Sequence, residues 1–410
     1  MSVVGFNLAF LTPGVPGGMA TYSWSLLNAL SAAGGHDLVV FAQAGTVLPA
    51  DLAGGVRLVC VPRFGGRFRR VVWEQTRLPG LARRHGIDLM FSPGNAGPLI
   101  GRFRKVVTIH DLIYAMVPDS VDPRQARYRR VMDRLTALTA DAVIAVSQAT
   151  ARDIRAVGLP VGRRLHVVHE AAGPGFNAAG FDAAGFDVAG FDMDRHPAPA
   201  PTVDHGPFIM MVASMLPHKS PQTVVQAAAA LWRQAGIRTV ILGTDPYGEL
   251  AAVLARSGEV GIIRLHEVST AVLAAHYRQA RCLVMPSEYE GFGLPVLEAQ
   301  LCGCPVVTTR RGALPEVAGD AALYVEPDDV TGLVAAVLRL SPHTALRADL
   351  VARGHANAAR FSWAETARQT ALIFDACLAA RSGALRAPPP SASVRGSGSG
   401  RSRNSRPGSR

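Results

Sequence analysis

Short apolar runs alternate with longer amphipathic stretches along most of this 410-residue chain. Continuous runs of Val, Ile and Leu are typical of strands covered on both faces, and amphipathic stretches between them favour a parallel sheet wound with helices. The first part of the chain carries five such runs, at 3–11, 38–42, 57–61, 105–110 and 142–147. Amphipathic stretches such as 20–34 and 124–139 separate them. The pattern therefore predicts an α/β fold.

The same alternation starts again after residue 205. Six further apolar runs follow, at 208–214, 237–243, 262–266, 281–286, 305–309 and 322–325. A chain of this length has room for two or three domains. We predict two Rossmann-like, doubly wound parallel-sheet domains that face a cleft, an N-terminal one over 1–170 and a C-terminal one over 206–382. The last helix would be able to pack back on the first domain.

The sequence between these domains has low complexity. Residues 175–192 read GFNAAGFDAAGFDVAGFD, a five-residue repeat that is too short to stack as a solenoid. We therefore predict a flexible interdomain linker or insert over 171–205. The last residues, 383–410, are rich in Arg, Ser and Gly and predict a disordered basic tail.

Cysteine usage and hydropathy indicate the compartment. The five cysteines are too few and too scattered for a disulfide framework, which favours a reducing, cytoplasmic setting. The first residues, MSVVGFNLAFL, have no basic segment before their apolar stretch, so we interpret them as a buried strand rather than a signal peptide. No run approaches the ~18 apolar residues of a membrane span. We expect a soluble protein.

Positive charge is concentrated in the first 170 residues, which carry 20 Lys and Arg against 11 Asp and Glu. Two basic clusters lie there, namely Arg63, Arg67, Arg69 and Arg70, and then Arg102, Arg104 and Lys105. A basic face suits an anionic surface, so peripheral contact with the inner face of a membrane is one interpretation. Scattered, solvated arginines are the alternative. We expect no nucleic-acid partner.

Two glutamates flank a glycine-rich turn in the second domain. The segment 281–309 predicts a strand, a polar loop, a helix and a second strand. Glu290 lies in the loop and Glu298 is expected in the first turn of the helix, while Gly291 and Gly293 leave backbone N–H groups open to an anion. In an open parallel sheet, ligands bind beyond the strand ends. The pattern fits a nucleotide sugar, and the alternative is a helix cap and a solvated loop residue.

The block Glu290-Gly291-Phe292-Gly293-Leu294-Pro295-Val296-Leu297-Glu298 resembles the E-x7-E signature of glycosyltransferase family 4. The stretches 302–307 and 312–320 resemble the continuation of that family. The resemblance covers about residues 1–382 without the repeat, and it implies a retaining enzyme with the two-domain GT-B architecture. It also implies that Glu290 contacts the donor sugar and Glu298 the ribose, with Phe292, Gly293 and Leu294 in the donor site.

A second strand–loop–helix unit, at 208–232, places Lys219 just before a helix, where an ammonium and a helix N-terminus converge on a pyrophosphate. A lysine at a helix start is otherwise usually a surface residue. The family usually carries an arginine five residues before this lysine, and here that position is Ser214. We expect His218 to compensate in part for the missing charge. The departure resembles a subgroup that includes mannosyltransferases, which favours GDP-mannose over a UDP-sugar as the donor.

The first domain adds a glycine pair and a histidine. Gly17 and Gly18 open an amphipathic helix and resemble the family's glycine loop beside the donor phosphate. His110 follows a predicted strand and resembles the family's histidine that meets the reacting sugar, with a buried structural histidine as the alternative. The pair Asp192 and Asp194 lies in the linker, and Cys302-x-Cys304 lacks a second ligand pair. We therefore expect no metal and no other cofactor.

These observations predict a metal-independent retaining glycosyltransferase, a hexosyltransferase with Glu290, Lys219 and His110 as catalytic candidates. It would move a sugar from a nucleoside diphosphate to a hydroxyl of a glycan or a lipid-linked acceptor, and the resemblance implies bacterial polysaccharide biosynthesis. Two other functions remain open. One is a glycoside hydrolase that uses Glu290 and Glu298 as an acid–base pair. The other is a sugar-nucleotide binding protein without turnover.

Overall fold

A computed structural model of the chain describes residues 1–15, 17–49, 52, 55–176, 203–257 and 261–384. Within these residues the chain forms two parallel β-sheets, one of seven strands and one of six. The first sheet belongs to residues 2–167 and the second to residues 208–325. The predicted α/β fold with two doubly wound units is confirmed.

The described part of the first half contains seven strands and six α-helices. The strands are β1 (Ser2–Asn7), β2 (His36–Gln43), β3 (Arg57–Val61), β4 (Leu89–Ser92), β5 (Arg104–Ile109), β6 (Ala142–Ala145) and β7 (Leu165–Val167). The helices are α1 (Gly18–Ala33), α2 (Arg67–Thr76), α3 (Leu78–Arg84), α4 (Ile113–Met116), α5 (Pro123–Thr139) and α6 (Gln148–Ala156). All neighbouring strands are parallel, in the order β3-β2-β1-β4-β5-β6-β7.

The described part of the second half contains six strands and eight helices. The strands are β8 (Phe208–Val212), β9 (Arg238–Leu242), β10 (Ile262–Leu265), β11 (Leu283–Met285), β12 (Val306–Thr309) and β13 (Ala322–Val325). The helices are α7 (Pro221–Ala235), α8 (Glu249–Ser257), α9 (Thr270–Gln279), α10 (Leu294–Leu301), α11 (Leu314–Ala318), α12 (Val330–Arg339), α13 (Ala345–Ala358) and α14 (Trp363–Ala384). The strands are parallel, in the order β10-β9-β8-β11-β12-β13.

The strands are buried as the apolar runs predict. Every residue of β4, β6 and β12 is buried, which a sheet covered by helices on both faces requires. All six runs predicted in the second half form its sheet. In the first half, β1 ends at Asn7 rather than at Leu11, because the chain turns there and the Leu11 N–H donates to the Leu8 carbonyl at 3.0 Å. The short strands β4 and β7 were not predicted.

The strand order of each sheet reverses at its centre, between β1 and β4 in the first and between β8 and β11 in the second. In doubly wound folds, ligands bind at such switch points, beyond the carboxyl ends of the strands. The loop after β1 leads to Gly17 and Gly18, the loop after β8 carries Lys219, and the loop after β11 carries Glu290. His110 directly follows β5. The fold therefore brings the predicted site residues to strand ends that bind ligands.

The last helix, α14, crosses back to the first half and packs along α1. Phe374 of α14 is fully buried, and its ring centroid lies 5.3 Å from that of Phe91 in β4. At the start of the helix, Trp363 Nε1 donates to the Ala172 carbonyl at 2.8 Å. One hydrophobic core therefore includes residues of the first sheet and the C-terminal helix.

Most of the predicted linker and the basic tail lie outside the described residues, which omit 177–202 and 385–410. The Asp192 and Asp194 pair falls there too. The first linker residues are described, and among them Ala171, Ala172 and Phe176 are buried. The domain limits at 170, 205 and 382 stay predictions. No helix in the described part of the chain is both long and apolar enough to cross a membrane.

Candidate active site

Lys219 and Glu290 form an ion pair beside the switch point of the second sheet. Lys219 Nζ lies 2.6 Å from both carboxylate oxygens of Glu290, and the two side chains are only 15% and 10% exposed. Ser287 Oγ donates a further hydrogen bond to Glu290, at 2.8 Å. Glu290 is therefore not a solvated loop residue, and the structure joins the two residues that the sequence singled out independently.

The backbone fixes the positions of both loops. The Glu288 N–H donates to the His218 carbonyl at 2.8 Å, which ties the loop after β11 to the loop after β8. Thr309 Oγ1 at the end of β12 donates to the Ser287 carbonyl at 2.6 Å. Ser220 takes a left-handed conformation, with φ of 53°, immediately before α7 begins. Hydrogen bonds between the loops at neighbouring strand ends therefore help to position Lys219 and Glu290, in addition to the attraction between their charges.

His218 does not supply the positive charge that the sequence analysis expected of it. Its imidazole is buried, and burial together with the neighbouring Lys219 ammonium lowers its pKa to about 3. The imidazole is therefore neutral near pH 7, and Lys219 carries the charge of this turn. Ser214, which stands where the family has an arginine, accepts a hydrogen bond from Thr244 Oγ1 at 3.2 Å.

Gly291 lies against the backbone of the first half. A Cβ atom at this position would lie 1.8 Å from the carbonyl oxygen of His110, so a side chain does not fit. The Gly291 carbonyl accepts hydrogen bonds from Ser147 Oγ at 2.7 Å and from Thr150 Oγ1 at 3.1 Å, at the start of α6. Contact between the two halves therefore requires a glycine at position 291. The sequence analysis had explained this glycine only by an anion near the loop.

The His110 imidazole is held by acceptors of its own half. Its Nδ1 lies 2.8 Å from Glu170 Oε1 and its Nε2 lies 2.7 Å from the Pro93 carbonyl oxygen. Burial acts to lower the pKa of His110, but the hydrogen bond and charge of Glu170 raise it above its usual value. Both ring nitrogens therefore have hydrogen-bond partners within the first half, as expected for the buried structural histidine that the sequence analysis gave as the alternative. A direct role of the ring toward a sugar stays a prediction.

Glu298 is buried in the second turn of α10. It is the fifth residue of that helix, not part of the first turn as predicted, and no side chain caps the helix. Its Oε2 accepts a hydrogen bond from the Tyr277 hydroxyl of α9 at 3.0 Å. Burial raises the pKa of Glu298 to about 7, because the Tyr277 hydrogen bond offsets only part of the desolvation.

Of the glycine pair in the first half, Gly18 lies against the start of α10, whereas a Cβ atom at Gly17 would have no neighbour within 4 Å among the described residues. A Cβ atom at Gly18 would lie 3.7 Å from Leu294 Cδ1, which is ordinary contact distance. Gly293 has a φ of 109° at the start of α10, a conformation that favours glycine. The Phe292 ring is buried among apolar residues, with its centroid 5.9 Å from that of Phe361. Phe292 therefore packs the loop, and a donor contact by it stays a prediction.

Further contacts between the halves come from residues that the sequence analysis missed. The Tyr289 hydroxyl donates to Asp153 Oδ2 at 2.8 Å and accepts from the Leu112 N–H at 3.3 Å. Glu316 accepts from the first N–H groups of α6, those of Gln148 and Ala149, at 2.8 and 3.1 Å. These partners lie more than 130 residues apart in the chain, so no local pattern reveals them. They align the first half with the loop that carries Glu290.

Among the described residues, no group of three or more His, Cys, Asp or Glu side chains is arranged to hold a metal ion. Cys302 and Cys304 are buried, and burial raises the pKa of Cys302 to about 12. These two thiols therefore belong to the hydrophobic core.

Two doubly wound sheets whose ligand-binding edges meet define the GT-B class of glycosyltransferase architecture. Solved structures share this fold. Sucrose-phosphate synthase from Thermosynechococcus elongatus aligns with a TM-score of 0.72 and 20% identity, over 93% of this chain and 100% of that chain. WaaG, described as a glycosyltransferase involved in lipopolysaccharide biosynthesis, aligns with a TM-score of 0.66 and 15% identity, over 90% of this chain and 99% of that one.

The family comparison agrees with the fold. The family described as Glycosyltransferase Family 4 matches residues 16–171, and the one described as Glycosyl transferases group 1 matches residues 206–342. Both halves of the chain therefore match glycosyltransferase domains, the first of them from family 4, in agreement with the resemblance of the E-x7-E block.

Curated relatives match over one part of the chain. O-antigen chain mannosyltransferase B of Escherichia coli is 36% identical over 168 residues, which are 40% of this chain and 44% of that protein. The MMP alpha-(1->4)-mannosyltransferase of Mycolicibacterium hassiacum is 33% identical over 179 residues, 42% of this chain and 43% of that protein. A D-inositol 3-phosphate glycosyltransferase of Kineococcus radiotolerans is 34% identical, over 40% and 43%. The chain thus spans less than half the length of these relatives.

Replacing Gly291 should separate the two halves. In Gly291→Ala the new Cβ would collide with the His110 carbonyl, so we expect a larger radius of gyration by small-angle scattering and a lower melting temperature. Gly18→Ala is the matched control, because its Cβ would make only ordinary contact with Leu294. Unchanged scattering from Gly291→Ala would show that the halves do not depend on this contact.

Replacing Glu298 should stabilise the protein at high pH. Its pKa of about 7 in the folded chain is well above the ~4.3 of an unfolded glutamate, so the free energy of unfolding falls as pH rises between these values. Glu298→Gln removes that loss. We expect its advantage over the parent to grow by about 2 kcal/mol from pH 5 to pH 8. Chemical denaturation at both pH values measures it.

The control for that measurement is Glu326→Gln, because the Glu326 side chain is 63% exposed. Its effect on the free energy of unfolding should be small, because an exposed ion pair contributes little to stability. An equal effect of Glu298→Gln at pH 5 and pH 8 would contradict the raised pKa.

Proposed function

We propose that this protein is a retaining glycosyltransferase that moves a hexosyl group from a nucleoside-diphosphate sugar to an acceptor hydroxyl. The observation that carries the proposal is the Lys219–Glu290 pair beside the switch point of the second sheet. Next to it, Gly291 brings in the first half through His110. Family membership supports a transferase, and the ion pair supplies one cation and one carboxylate where a diphosphate and a sugar would meet.

Lys219 is the group that stabilises the leaving diphosphate. Negative charge develops on that group as the bond to the sugar breaks, and an ammonium already held in place stabilises it without reorganisation. The start of α7, two residues further on, adds its N–H groups and the positive end of its dipole. When the diphosphate binds the Lys219 ammonium, the Glu290 carboxylate loses that partner and can accept hydrogen bonds from the sugar hydroxyls.

Glu298 is the group that holds the donor ribose. Tyr277 fixes its Oε2, and we assign Oε1 to the ribose hydroxyls. Gly18 lies beside Leu294, and we assign to Gly17 and Gly18 the close approach of the first half's backbone to the donor phosphate. The family resemblance favours retention by attack on the front face, in which the leaving phosphate accepts the proton of the acceptor hydroxyl.

The proposed donor is GDP-mannose, and the proposed acceptor is a glycan or lipid-linked molecule of bacterial polysaccharide biosynthesis in the cytoplasm. Two relatives are named as mannosyltransferases, and one of these is named for the O-antigen chain. Ser214 in the place of the family arginine also favours the mannosyltransferase-like subgroup. A UDP-sugar is the alternative donor.

A glycoside hydrolase is the second candidate, because the pKa of Glu298 is about 7 and a general acid needs a raised pKa. The other carboxylate, Glu290, is bound to Lys219 on both of its oxygens. A hydrolase gives this lysine no role, whereas a transferase uses it on the diphosphate. The geometry therefore favours transfer.

Three variants separate transfer from hydrolysis. Lys219→Ala should lower kcat roughly a hundredfold, about 3 kcal/mol, because it removes a group that acts on developing charge. Glu290→Gln should also lower mainly kcat, since its contact is next to the reacting carbon. Glu298→Gln should mainly raise the KM for the donor, because the ribose does not change during the reaction. Steady-state release of nucleoside diphosphate, with and without acceptor, measures all three.

Arg368→Ala serves as the control for Lys219→Ala, since it removes an exposed arginine of α14 that is paired with Glu365. Its kinetics should match the parent. A hydrolase predicts a different result. Either glutamate variant would lose nearly all of its kcat, and Lys219→Ala would leave kcat unchanged. Tight binding of nucleotide without release of product would indicate a binding protein.

We further propose that one face of the first half contacts an anionic membrane. Phe68, Arg69 and Val72 of α2 form this surface with Ile100 and Arg102, and we call it the α2 surface. Phe68, Val72 and Ile100 are 80%, 44% and 63% exposed. The Leu99 N–H donates to Gln75 of α2 at 2.8 Å, which holds the loop beside the helix. Apolar side chains between exposed arginines suit the surface of an anionic bilayer.

Not every arginine of the predicted basic clusters belongs to this surface. Arg104 pairs with Asp141 at 2.7 Å, and Arg70 reaches Glu74 at 3.3 Å. Both side chains are therefore occupied within the first half. The proposal depends on the exposed members of each cluster.

Vesicle flotation tests the α2 surface. We expect the full chain to float with phosphatidylglycerol vesicles at low salt, to be released as salt rises, and not to float with phosphatidylcholine. Phe68→Ser combined with Ile100→Ser should weaken flotation, whereas Leu372→Ser, which changes a 56% exposed residue of α14, should not. Equal flotation with neutral and anionic vesicles would contradict the proposal.

A further inference from the structure

His110 and Glu170 form a buried pair where the first half meets the second. His110 Nδ1 lies 2.8 Å from Glu170 Oε1, and the two side chains are 11% and 4% exposed. His110 directly follows β5, whereas Glu170 belongs to the segment that follows β7. The His110 carbonyl lies against Gly291, the residue after Glu290. The pair is therefore close to the proposed transfer site.

The hydrogen-bond partners of the His110 ring determine its protonation. Its Nε2 lies 2.7 Å from the Pro93 carbonyl oxygen, which can only accept a hydrogen bond, so Nε2 must carry a proton. The Glu170 carboxylate on the other side is also an acceptor, so Nδ1 must carry a second proton. Two N–H groups make the ring an imidazolium. A neutral ring would turn a lone pair toward one of these oxygens and lose a hydrogen bond.

The other titratable groups around the ring are compatible with this charge. Asp111, the next residue in the chain, adds a negative charge, although its carboxylate also lies 3.6 Å from Arg129. The Tyr22 ring of α1 meets the imidazole edge-on at 4.7 Å between centroids, and burial raises the pKa of its hydroxyl, which therefore stays neutral. Burial alone would lower the pKa of His110, but the hydrogen bond and charge of Glu170 raise it above its usual value.

The second half offers a diphosphate less positive charge than the family pattern implies. Ser214 stands in the place of an arginine, and burial together with the Lys219 ammonium lowers the pKa of His218 to about 3, so that its ring is neutral. Lys219 carries the charge of this turn and shares it with Glu290. A diphosphate carries more negative charge than one ammonium balances. A second cation from the facing half would restore the balance.

On the basis of the proposed function, we propose that Glu170 is a positioning residue that keeps His110 charged, and that this imidazolium supplies the second positive charge beside the donor diphosphate. His110 is the more exposed member of the pair, so its charge lies nearer the cleft than the carboxylate. Acceptors of the first half already hold both N–H groups, so the ring needs no reorganisation when negative charge develops. A charged ring also does not take the proton of the acceptor hydroxyl.

Nuclear magnetic resonance of the full chain with ¹⁵N-labelled histidine tests the charge of the ring. The His110 signal is assigned by its loss in His110→Gln. We expect both ring nitrogens of His110 to carry protons at pH 7. In Glu170→Gln the titration midpoint of His110 should fall by about one pH unit or more, because a neutral amide replaces the carboxylate. A neutral His110 ring in the parent at pH 7, or equal midpoints in the two proteins, would overturn the proposal.

Calorimetry with a nucleoside diphosphate tests what the charge does. GDP and UDP are each titrated into the parent and into Glu170→Gln, and the one that binds the parent more tightly is followed. At pH 8 the variant should bind it roughly fivefold more weakly, because the His110 ring of the variant is neutral there. At pH 5.5 the difference should shrink, since that ring regains its proton. An equal loss at both pH values would show that Glu170 only packs the site, and no loss at pH 8 would show that the charge does not act on the diphosphate; either result overturns the proposal.

Glu316→Gln is the matched control, because Glu316 also pairs with a histidine, His169, at 2.6 Å. It removes a carboxylate from the neighbouring pair and should leave the titration of His110 unchanged. If neither GDP nor UDP binds the parent, the proposed function is contradicted, and with it the role assigned to the charge. A neutral His110 ring in a parent that binds GDP or UDP would overturn only the role of Glu170.

Discussion

Backbone contact between Gly291 and His110 determines how the two halves of this protein meet. The second half can insert its loop under the first only because position 291 has no side chain, and hydroxyls of Ser147 and Thr150 then bind the Gly291 carbonyl. Tyr289 and Glu316 add hydrogen bonds on either side of it. Together these contacts hold the groups of the first half next to the Lys219–Glu290 pair.

The burial of charged and titratable side chains at the site lowers the stability of the folded protein. Lys219 and Glu290 neutralise each other in a largely buried position, so the pair is tolerated without a ligand and can exchange partners with one. Glu298 has no cation, and burial raises its pKa to about 7. His218 is kept neutral beside Lys219. Burying a carboxylate without a cation costs desolvation energy and does not help folding. Groups with such perturbed pKa values are concentrated at functional sites.

Local patterns predicted most of the fold, and they singled out Lys219 and Glu290, which the structure brings together. The six strands of the second sheet were all found, because each is a continuous run of apolar residues. β4 was missed because Leu-Met-Phe-Ser is short and has no β-branched residue, and β7 because a histidine interrupts its two apolar residues. Tyr277, Glu170 and Tyr289 were missed for another reason. Their roles come from partners distant in sequence, which a single chain without its fold does not show. The expectation that His218 carries a positive charge was wrong for a similar reason. Burial of its imidazole lowers its pKa, and burial cannot be read from the sequence alone.

The central claim is that Lys219 and Glu290 hold the two ends of a nucleotide sugar where the transferred bond breaks. A crystal structure with a nucleoside diphosphate tests it most directly. The account predicts a phosphate oxygen within hydrogen-bond distance of Lys219 Nζ at the start of α7, with the ribose beside Glu298. A diphosphate bound elsewhere, with Lys219 still held by both oxygens of Glu290, would contradict it.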